Sequence, residues 1–428
     1  MDAFLIRGPS RLAGTVRASG AKNAALPAAA AALLTDEPVS LENVPDVADV
    51  RTLGVLLSGL GVRVDRDEPG RLALRADAVT STEAPYDLVR TMRASILVLG
   101  PLLARFGEAR ISLPGGCAIG VRPVDLHLAA MEAMGARIAV EKGYIHAHVS
   151  RVSTAAGRLS GAEITFPQPT VTGTENVLLA AALARGRTVL RNAALEPEIA
   201  DLARLLSAMG AHIEGAGTPT IAVEGAERLA GTGGRPHTVI PDRIETGTYL
   251  AAGAITGGDV TVADARPGDL VAFLDALRRA GAEIAAKPDS IRVRREGLLR
   301  ATDIRTAPHP GFPTDLQAQF LALMTQAHGA SRIDETIFEN RFLHAPELVR
   351  LGADVKLDGH TAVVRGPAAL EGAPVTASDL RASAALVLAG LVARGETRVR
   401  RIYHLDRGYA GMDAKLRSLG AEISRISG

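Results

Sequence analysis

Six short polar stretches interrupt otherwise apolar segments, and they hold most of the residues able to do chemistry. They contribute Lys22 and Asn23, Arg93, Thr172 and Thr174, Asp242 and Glu245, Asp315, and Arg381. Each stretch stands at the predicted N-terminus of a helix, where unpaired N–H groups and partial positive charge suit anions. Most are expected to open on a capping Ser, Thr or Asp. Taken singly, each arginine is better explained by a nearby acid, Arg381 by Asp379 for example. Six such heads on one kind of helix favour an anionic ligand. A second candidate is Leu113-Pro-Gly-Gly-Cys-Ala-Ile-Gly-Val-Arg-Pro-Val-Asp-Leu-His127. Its Pro114, Gly115, Gly116, Gly120 and Pro123 forbid regular structure and predict a surface loop with a thiol near the tip. A lone cysteine is commonly a small buried hydrophobe. The flanking glycines and Arg122 instead predict that Cys117 is exposed, with a lowered thiol pKa.

Other chemistries lack their residues. His127, His309 and His344 are scattered, with no metal-ligand spacing, and the single cysteine excludes an intrachain disulfide. No phosphate-binding G-x-x-x-x-G-K-[ST] or dinucleotide-binding G-x-G-x-x-G is present, so no cofactor is expected. Lys plus Arg (48) balance Asp plus Glu (47), and Trp is absent, which argues against a nucleic-acid or membrane-surface partner. The most apolar stretch, residues 24–34, is far shorter than the ~20 residues that span a bilayer. No secretory signal is visible at the N-terminus, and a soluble, cytoplasmic chain is expected. Nothing in the sequence specifies a protein partner.

The elements that must position these residues recur. A helix ending in Leu/Met/Ala-Gly-Ala/Val and followed by an alternating strand occurs six times, with glycines at 61, 135, 210, 281, 352 and 420. Each glycine falls where a helix stops and a left-handed residue is wanted. The Val/Ile alternation behind it predicts a half-buried strand. Interleaved with this phrase, each polar head leads into a helix apolar almost all round, hence buried. A solenoid is the alternative for any repeat, but solenoid units are usually 20–50 residues and these run to about 70. The predicted architecture is α/β: two lobes of three units each, residues 19–240 and residues 1–18 with 241–428. Residues 1–18 could pair with strands of the last lobe.

The phrases SGAKNAALP, APYDLVRTMRAS, SLPGGCAIGVRPVDLH, PDRIETGT, TAPHPGFPTDLQAQF, ENRFLHAPEL, DLRASAALVLAG and YHLDRGY resemble the UDP-N-acetylglucosamine (UDP-GlcNAc) enolpyruvyl transferases of the EPSP synthase superfamily. The resemblance covers essentially the whole chain. It implies a two-lobe inside-out α/β barrel of six repeats. It also implies transfer of enolpyruvyl from phosphoenolpyruvate to the 3′-hydroxyl of UDP-GlcNAc, with release of phosphate and no metal, the first committed step of peptidoglycan synthesis.

By the same resemblance, Lys22 and Asn23 match the phosphoenolpyruvate-binding pair, and Arg122 and Arg407 its phosphate and carboxylate arginines, with Arg381 nearby. Arg93 belongs to the sugar-nucleotide site, and the backbone of Arg122, Pro123, Val124, Asp125 and Leu126 to the uridine end. Asp315 and Ile337 match contacts to the sugar nucleotide, Asp315 near the reacting hydroxyl and expected to act as the base. Cys117 matches the cysteine alkylated by fosfomycin, with an expected role as proton donor. Gln168, Thr170 and Val171 fall on the diphosphate. There the common pattern is Lys-Val-Ser-Val and this chain reads Gln168-Pro-Thr-Val171, keeping a hydroxyl but losing a cation. The related shikimate 3-phosphate enzyme and a non-catalytic sugar-nucleotide sensor are the rival readings.

Overall fold

Six glycines end six amphipathic helices with left-handed backbone, φ running from +95° to +107° at Gly61, Gly135, Gly210, Gly281, Gly352 and Gly420. The helices they end are Ala48–Gly59, Asp125–Ala133, Pro197–Ala208, Val271–Arg279, Ala345–Arg350 and Met412–Ser418. A side chain at that φ would press its Cβ on the neighbouring carbonyl, so glycine is the residue the turn requires. The turn closes by hydrogen bonds such as Val62 N–H to the Leu57 carbonyl at 3.0 Å and Ala282 N–H to Leu277 at 3.0 Å. Behind each glycine runs an edge strand: Arg63–Asp65, Ala136–Glu141, His212–Glu214, Glu283–Lys287, Asp354–Asp358 and Glu422–Ile426.

The structure, a computed structural model, describes residues 2–66, 68–90, 92–113, 124–150 and 157–427. Among these, 2–19 and 241–427 form one compact unit, and the described part of 20–240 forms a second. Six sheets share one pairing order. In one of them Glu163–Thr165 runs parallel to Arg187–Arg191, with Ile164 opposite Leu190. Arg187–Arg191 then pairs antiparallel with Thr220–Glu224, which pairs antiparallel with His212–Glu214. The other five repeat this order of one parallel and two antiparallel ladders, one of them carrying an extra short strand, Ile304–Arg305. The N-terminal strand Ala3–Gly8 lies between Gly395–Arg400 and Glu422–Ile426, and Ala13–Arg17 runs parallel to Asp259–Ala263.

The helices behind the polar heads are the buried ones. In the first unit Arg243–Ile255, Gln317–Met324 and Leu380–Val392 pack on one another, with almost every side chain out of solvent. In the second, Leu99–Phe106 packs on Val171–Ala181, and Lys22–Ala30 packs on Ala48–Gly59 and Pro197–Ala208. Their Ala and Gly content lets backbones approach closely. A Cβ on Gly100 would stand 2.5 Å from the Asn176 carbonyl oxygen and 2.9 Å from its Oδ1. Gly100→Ala must therefore push two buried helices apart. We expect it to lower stability by about 1–3 kcal/mol, read as a reduced urea midpoint at unchanged slope.

Candidate active site

In the unit containing residues 241–427, the site is built around Asp315. Pro313 directs the chain into a single turn, Thr314–Leu316, which leads into the buried helix Gln317–Met324. Arg341 Nη2 donates to Asp315 Oδ1 at 2.6 Å and Arg381 Nη2 to Oδ2 at 2.8 Å. The arginine side chains are only 3% and 6% exposed, against 28% for the carboxylate. Burial disfavours the Arg381 charge, but the adjacent Asp315 carboxylate outweighs it and holds the guanidinium above its ordinary range. Two cations share the Asp315 carboxylate here, and the Asp242 charge also acts on Arg381, where water is scarce and charge interactions are strong. Arg381 does pair with an acid, but the acid is Asp315. Asp379 instead caps the helix, its Oδ1 accepting from Arg381 N–H at 2.9 Å and Ala382 N–H at 3.1 Å. That cap fixes the start of Leu380–Val392 and leaves the Arg381 guanidinium to reach Asp315.

Further residues hold this arrangement, and sequence reading missed them. Arg381 lies over the Tyr409 ring, 5.6 Å from its centroid. The Tyr409 hydroxyl meets Thr248 Oγ1 at 2.8 Å and accepts from Gln319 Nε2 at 3.2 Å. Glu335, fully buried, accepts from Thr306 Oγ1 and Thr314 Oγ1, both at 2.9 Å. It also accepts from Ile337 N–H at 2.8 Å and Phe338 N–H at 3.2 Å. Glu335 thus ties Ile337 to the residue preceding Asp315. The polar Gln317 and Gln319 within an otherwise apolar helix were the available signal for Gln319; the phrase ENRFLHAPEL holds Arg341 without singling it out, and Glu335 gave no signal. Arg407 closes the short helix Ile402–Arg407 and is half-buried. Burial first, then the Arg407 charge, lowers the pKa of His404. At the head of Arg243–Ile255, Asp242 caps Ile244 and Glu245. Glu245 accepts from Ser19 N–H at 2.6 Å and from Lys415 Nζ at 2.7 Å.

In the other unit, Lys22 opens the helix Lys22–Ala30 and its Nζ meets Asp49 Oδ2 at 2.9 Å, with 13% and 6% of the side chains exposed. Asn23 follows it, half-buried; Pro27, lacking an N–H, cannot serve as the helical partner of the Asn23 carbonyl. Arg93 begins the short helix Arg93–Val98. Val124 precedes the helix Asp125–Ala133, with Asp125 exposed and Leu126 half-buried. Gln168 is exposed, while Thr170 caps Val171–Ala181, its hydroxyl accepting from Gly173 N–H at 3.3 Å. Within this unit, Arg93, His127 and Thr172 are brought together: His127 meets Thr172 and feels the Arg93 charge. Burial first, then Glu198 and Glu196, raises the pKa of Glu175 well above the usual carboxylate range. Side-chain caps stand at Thr170, Asp242 and Asp379 only, since Ala21, Met92 and Pro313 have no side chain placed to cap. The expectation that most heads open on a capping residue is corrected to half of them. Cys117, Arg122 and Pro123 lie outside the described residues.

Two buried histidines contribute to the acid sensitivity of the fold. Burial lowers the pKa of both His127 and His344 from the ordinary 6.5 to about 4. Below pH 6.5 the unfolded chain takes up protons that the folded chain refuses, so stability falls as pH falls towards about 4. Each histidine contributes up to about 1.4 kcal/mol per pH unit in that window. Urea midpoints at pH 7, 6 and 5 should decline, and His344→Gln should flatten the decline.

Comparison with known proteins gives this geometry its context. A family model described as EPSP synthase (3-phosphoshikimate 1-carboxyvinyltransferase) matches residues 6–416. Proteins named UDP-N-acetylglucosamine 1-carboxyvinyltransferase are 56% identical in Magnetococcus marinus, over 427 residues, and 57% identical in Anaeromyxobacter sp. strain K, over 432 residues. Each match covers 100% of both chains. The chain belongs to the UDP-N-acetylglucosamine 1-carboxyvinyltransferase branch of the EPSP synthase family. Among solved structures, the enolpyruvyl transferase NikO from Streptomyces tendae is 29% identical with a TM-score of 0.87, covering 100% of this chain and 99% of its own. An EPSP synthase from Acinetobacter baumannii, 17% identical with a TM-score of 0.75 and full coverage of both chains, shares the fold. The fold is the mixed α/β fold of these transferases. No helix among the described residues is long and apolar enough to cross a membrane, and no His/Cys/Asp/Glu group there could hold a metal.

Proposed function

We propose that this chain transfers the enolpyruvyl group of phosphoenolpyruvate to the 3′-hydroxyl of UDP-GlcNAc and releases phosphate. Full-length identity of 56–57% to relatives named for that reaction carries the reading. The clamp of Arg341 and Arg381 on Asp315 supports it, because the reaction needs a carboxylate beside a sugar hydroxyl and cations beside anionic substrates. We assign the reaction to the cytoplasm, the compartment expected from the sequence.

Both units carry residues assigned to the reaction. By the family resemblance, Lys22, Asn23, Arg122 and Arg407 are assigned to phosphoenolpyruvate, and Arg381 is assigned with them. Arg93, the backbone from Arg122 to Leu126, Gln168, Thr170, Val171 and Ile337 hold the sugar nucleotide. Phosphoenolpyruvate is protonated at C3 as the 3′-hydroxyl adds to C2, giving a tetrahedral intermediate. A C3 proton then leaves as the C2–O bond to phosphate breaks, restoring the double bond. Asp315 takes the hydroxyl proton and Cys117 serves as the acid, while the fixed cations stabilise charge on phosphate and carboxylate. Cys117 is on this reading the residue that fosfomycin alkylates. The common pairing order of the six sheets supports a six-repeat, two-lobe inside-out barrel, one lobe of residues 19–240 and the other of 1–18 with 241–428.

The deciding experiment is phosphate release from phosphoenolpyruvate with UDP-GlcNAc or with shikimate 3-phosphate as acceptor. Turnover with UDP-GlcNAc alone is the expected result. Turnover with shikimate 3-phosphate would transfer the chain to the other branch of the family, and turnover with neither would leave a non-catalytic binding protein.

A further inference from the structure

Thr172 follows the diphosphate candidates Thr170 and Val171, in a stretch whose Gln168 carries no charge. A chain of hydrogen bonds fixes its hydroxyl. Gly100 N–H donates to Asn176 Oδ1 at 2.9 Å, and Asn176 Nδ2 donates to the Ile96 carbonyl at 3.0 Å. These two backbone groups settle which end of the amide is which. The second Nδ2 hydrogen therefore points at His127 Nδ1, 2.8 Å away. A ring nitrogen that accepts carries no proton, so the neutral imidazole bears its hydrogen on Nε2. That hydrogen is donated to Thr172 Oγ1 at 3.2 Å. Neutrality is enforced because protonating Nδ1 would set two N–H groups against each other, in a side chain 3% exposed. No other Thr172 side-chain hydrogen bond is formed among the described residues, so its own hydroxyl hydrogen remains available.

The surroundings say what it should meet. The head of Val171–Ala181 is half-buried, the Arg93 charge acts on the same imidazole, and Asp125 acts on it in the opposite sense. A directed neutral donor beside a cation suits an oxygen of an anionic ester. Resting on the function proposed above, we infer that Thr172 donates a hydrogen bond to the diphosphate of the sugar nucleotide, with His127 as its positioning residue. The assignment gives this head a specific donor although Gln168 supplies no cation.

Initial rates with each substrate varied in turn test this. Thr172→Val, close in shape, should raise KM for UDP-GlcNAc about tenfold, the worth of one hydrogen bond. KM for phosphoenolpyruvate and kcat should change much less, and Thr172→Ser should restore the KM. His127→Gln should raise the same KM in the wild-type background and add little to Thr172→Val, since both remove one interaction. Circular dichroism identifies variants that are folded, and calorimetric titration with UDP-GlcNAc reads the affinity without turnover. A folded Thr172→Val with unchanged KM and affinity overturns the hydroxyl assignment, and so does Thr172→Ser if it fails to restore them. Absence of wild-type turnover would instead strike the underlying function.

Discussion

Asp315→Asn is expected to lose about 10²–10⁴ in kcat while still binding UDP-GlcNAc within a few fold. The range is that of a positioned general base removed from a proton-transfer step. Two opposing effects meet at this side chain. The guanidinium groups of Arg341 and Arg381, at 2.6 and 2.8 Å, engage both carboxylate oxygens, one of which a base must offer to the incoming proton. The same groups hold it in one orientation, leaving 28% of the side chain accessible to a hydroxyl brought by substrate. Asparagine keeps the shape and one acceptor oxygen but removes both the basic site and the charge. It also leaves two almost fully buried guanidinium groups without their counterion, for which about 3–5 kcal/mol of stability is expected to be lost. Turnover must therefore be read on protein shown to be folded by circular dichroism, alongside calorimetric titration with UDP-GlcNAc. A folded variant that binds normally but does not turn over supports proton transfer. Failure of binding alone would move Asp315 to recognition, and near-normal kcat would remove it from the mechanism.

Arg407→Ala should cost at least about tenfold in turnover with little change in the folded structure. Removing one partner of an ion pair to substrate costs about 2–5 kcal/mol, and each 1.4 kcal/mol is a factor of ten in rate. Arg407 is half-buried at the end of a single short helix whose Ile402 and Leu405 join the core. Its side chain is not itself fully buried, in contrast to Arg341 and Arg381. KM for phosphoenolpyruvate should rise with the loss of kcat, and the thermal midpoint should stay within about 2 °C, as for a surface change. Unaltered kinetics in the folded variant would overturn the assignment.

The sequence by itself determined the local features that depend on one residue and its near neighbours. Six glycines at regular spacing marked six helix ends, because only a residue without Cβ takes that backbone at no cost, and their φ values show it. Apolar runs without a polar face marked the buried helices, since a helix with no wet side has to be covered. Motifs such as SGAKNAALP and PGGC followed by RPVDLH pointed to the family, which full-length identity then established. The tertiary structure alone decided pairings that depend on distance in space. Asp315 and Arg381 are 66 residues apart in sequence, and nothing local favours that pair over Arg381 with Asp379. In the fold Asp379 caps its own helix, and the guanidinium is carried to Asp315 instead. Arg341, Glu335 and Tyr409 were illegible for the same reason, each acquiring its role only where chain folding brings it to Asp315, Ile337 or Arg381. The proton on His127 is the extreme case. Its position is fixed by an amide on another helix, which is fixed in turn by backbone groups of Gly100 and Ile96, and no spacing within one segment encodes such a relay.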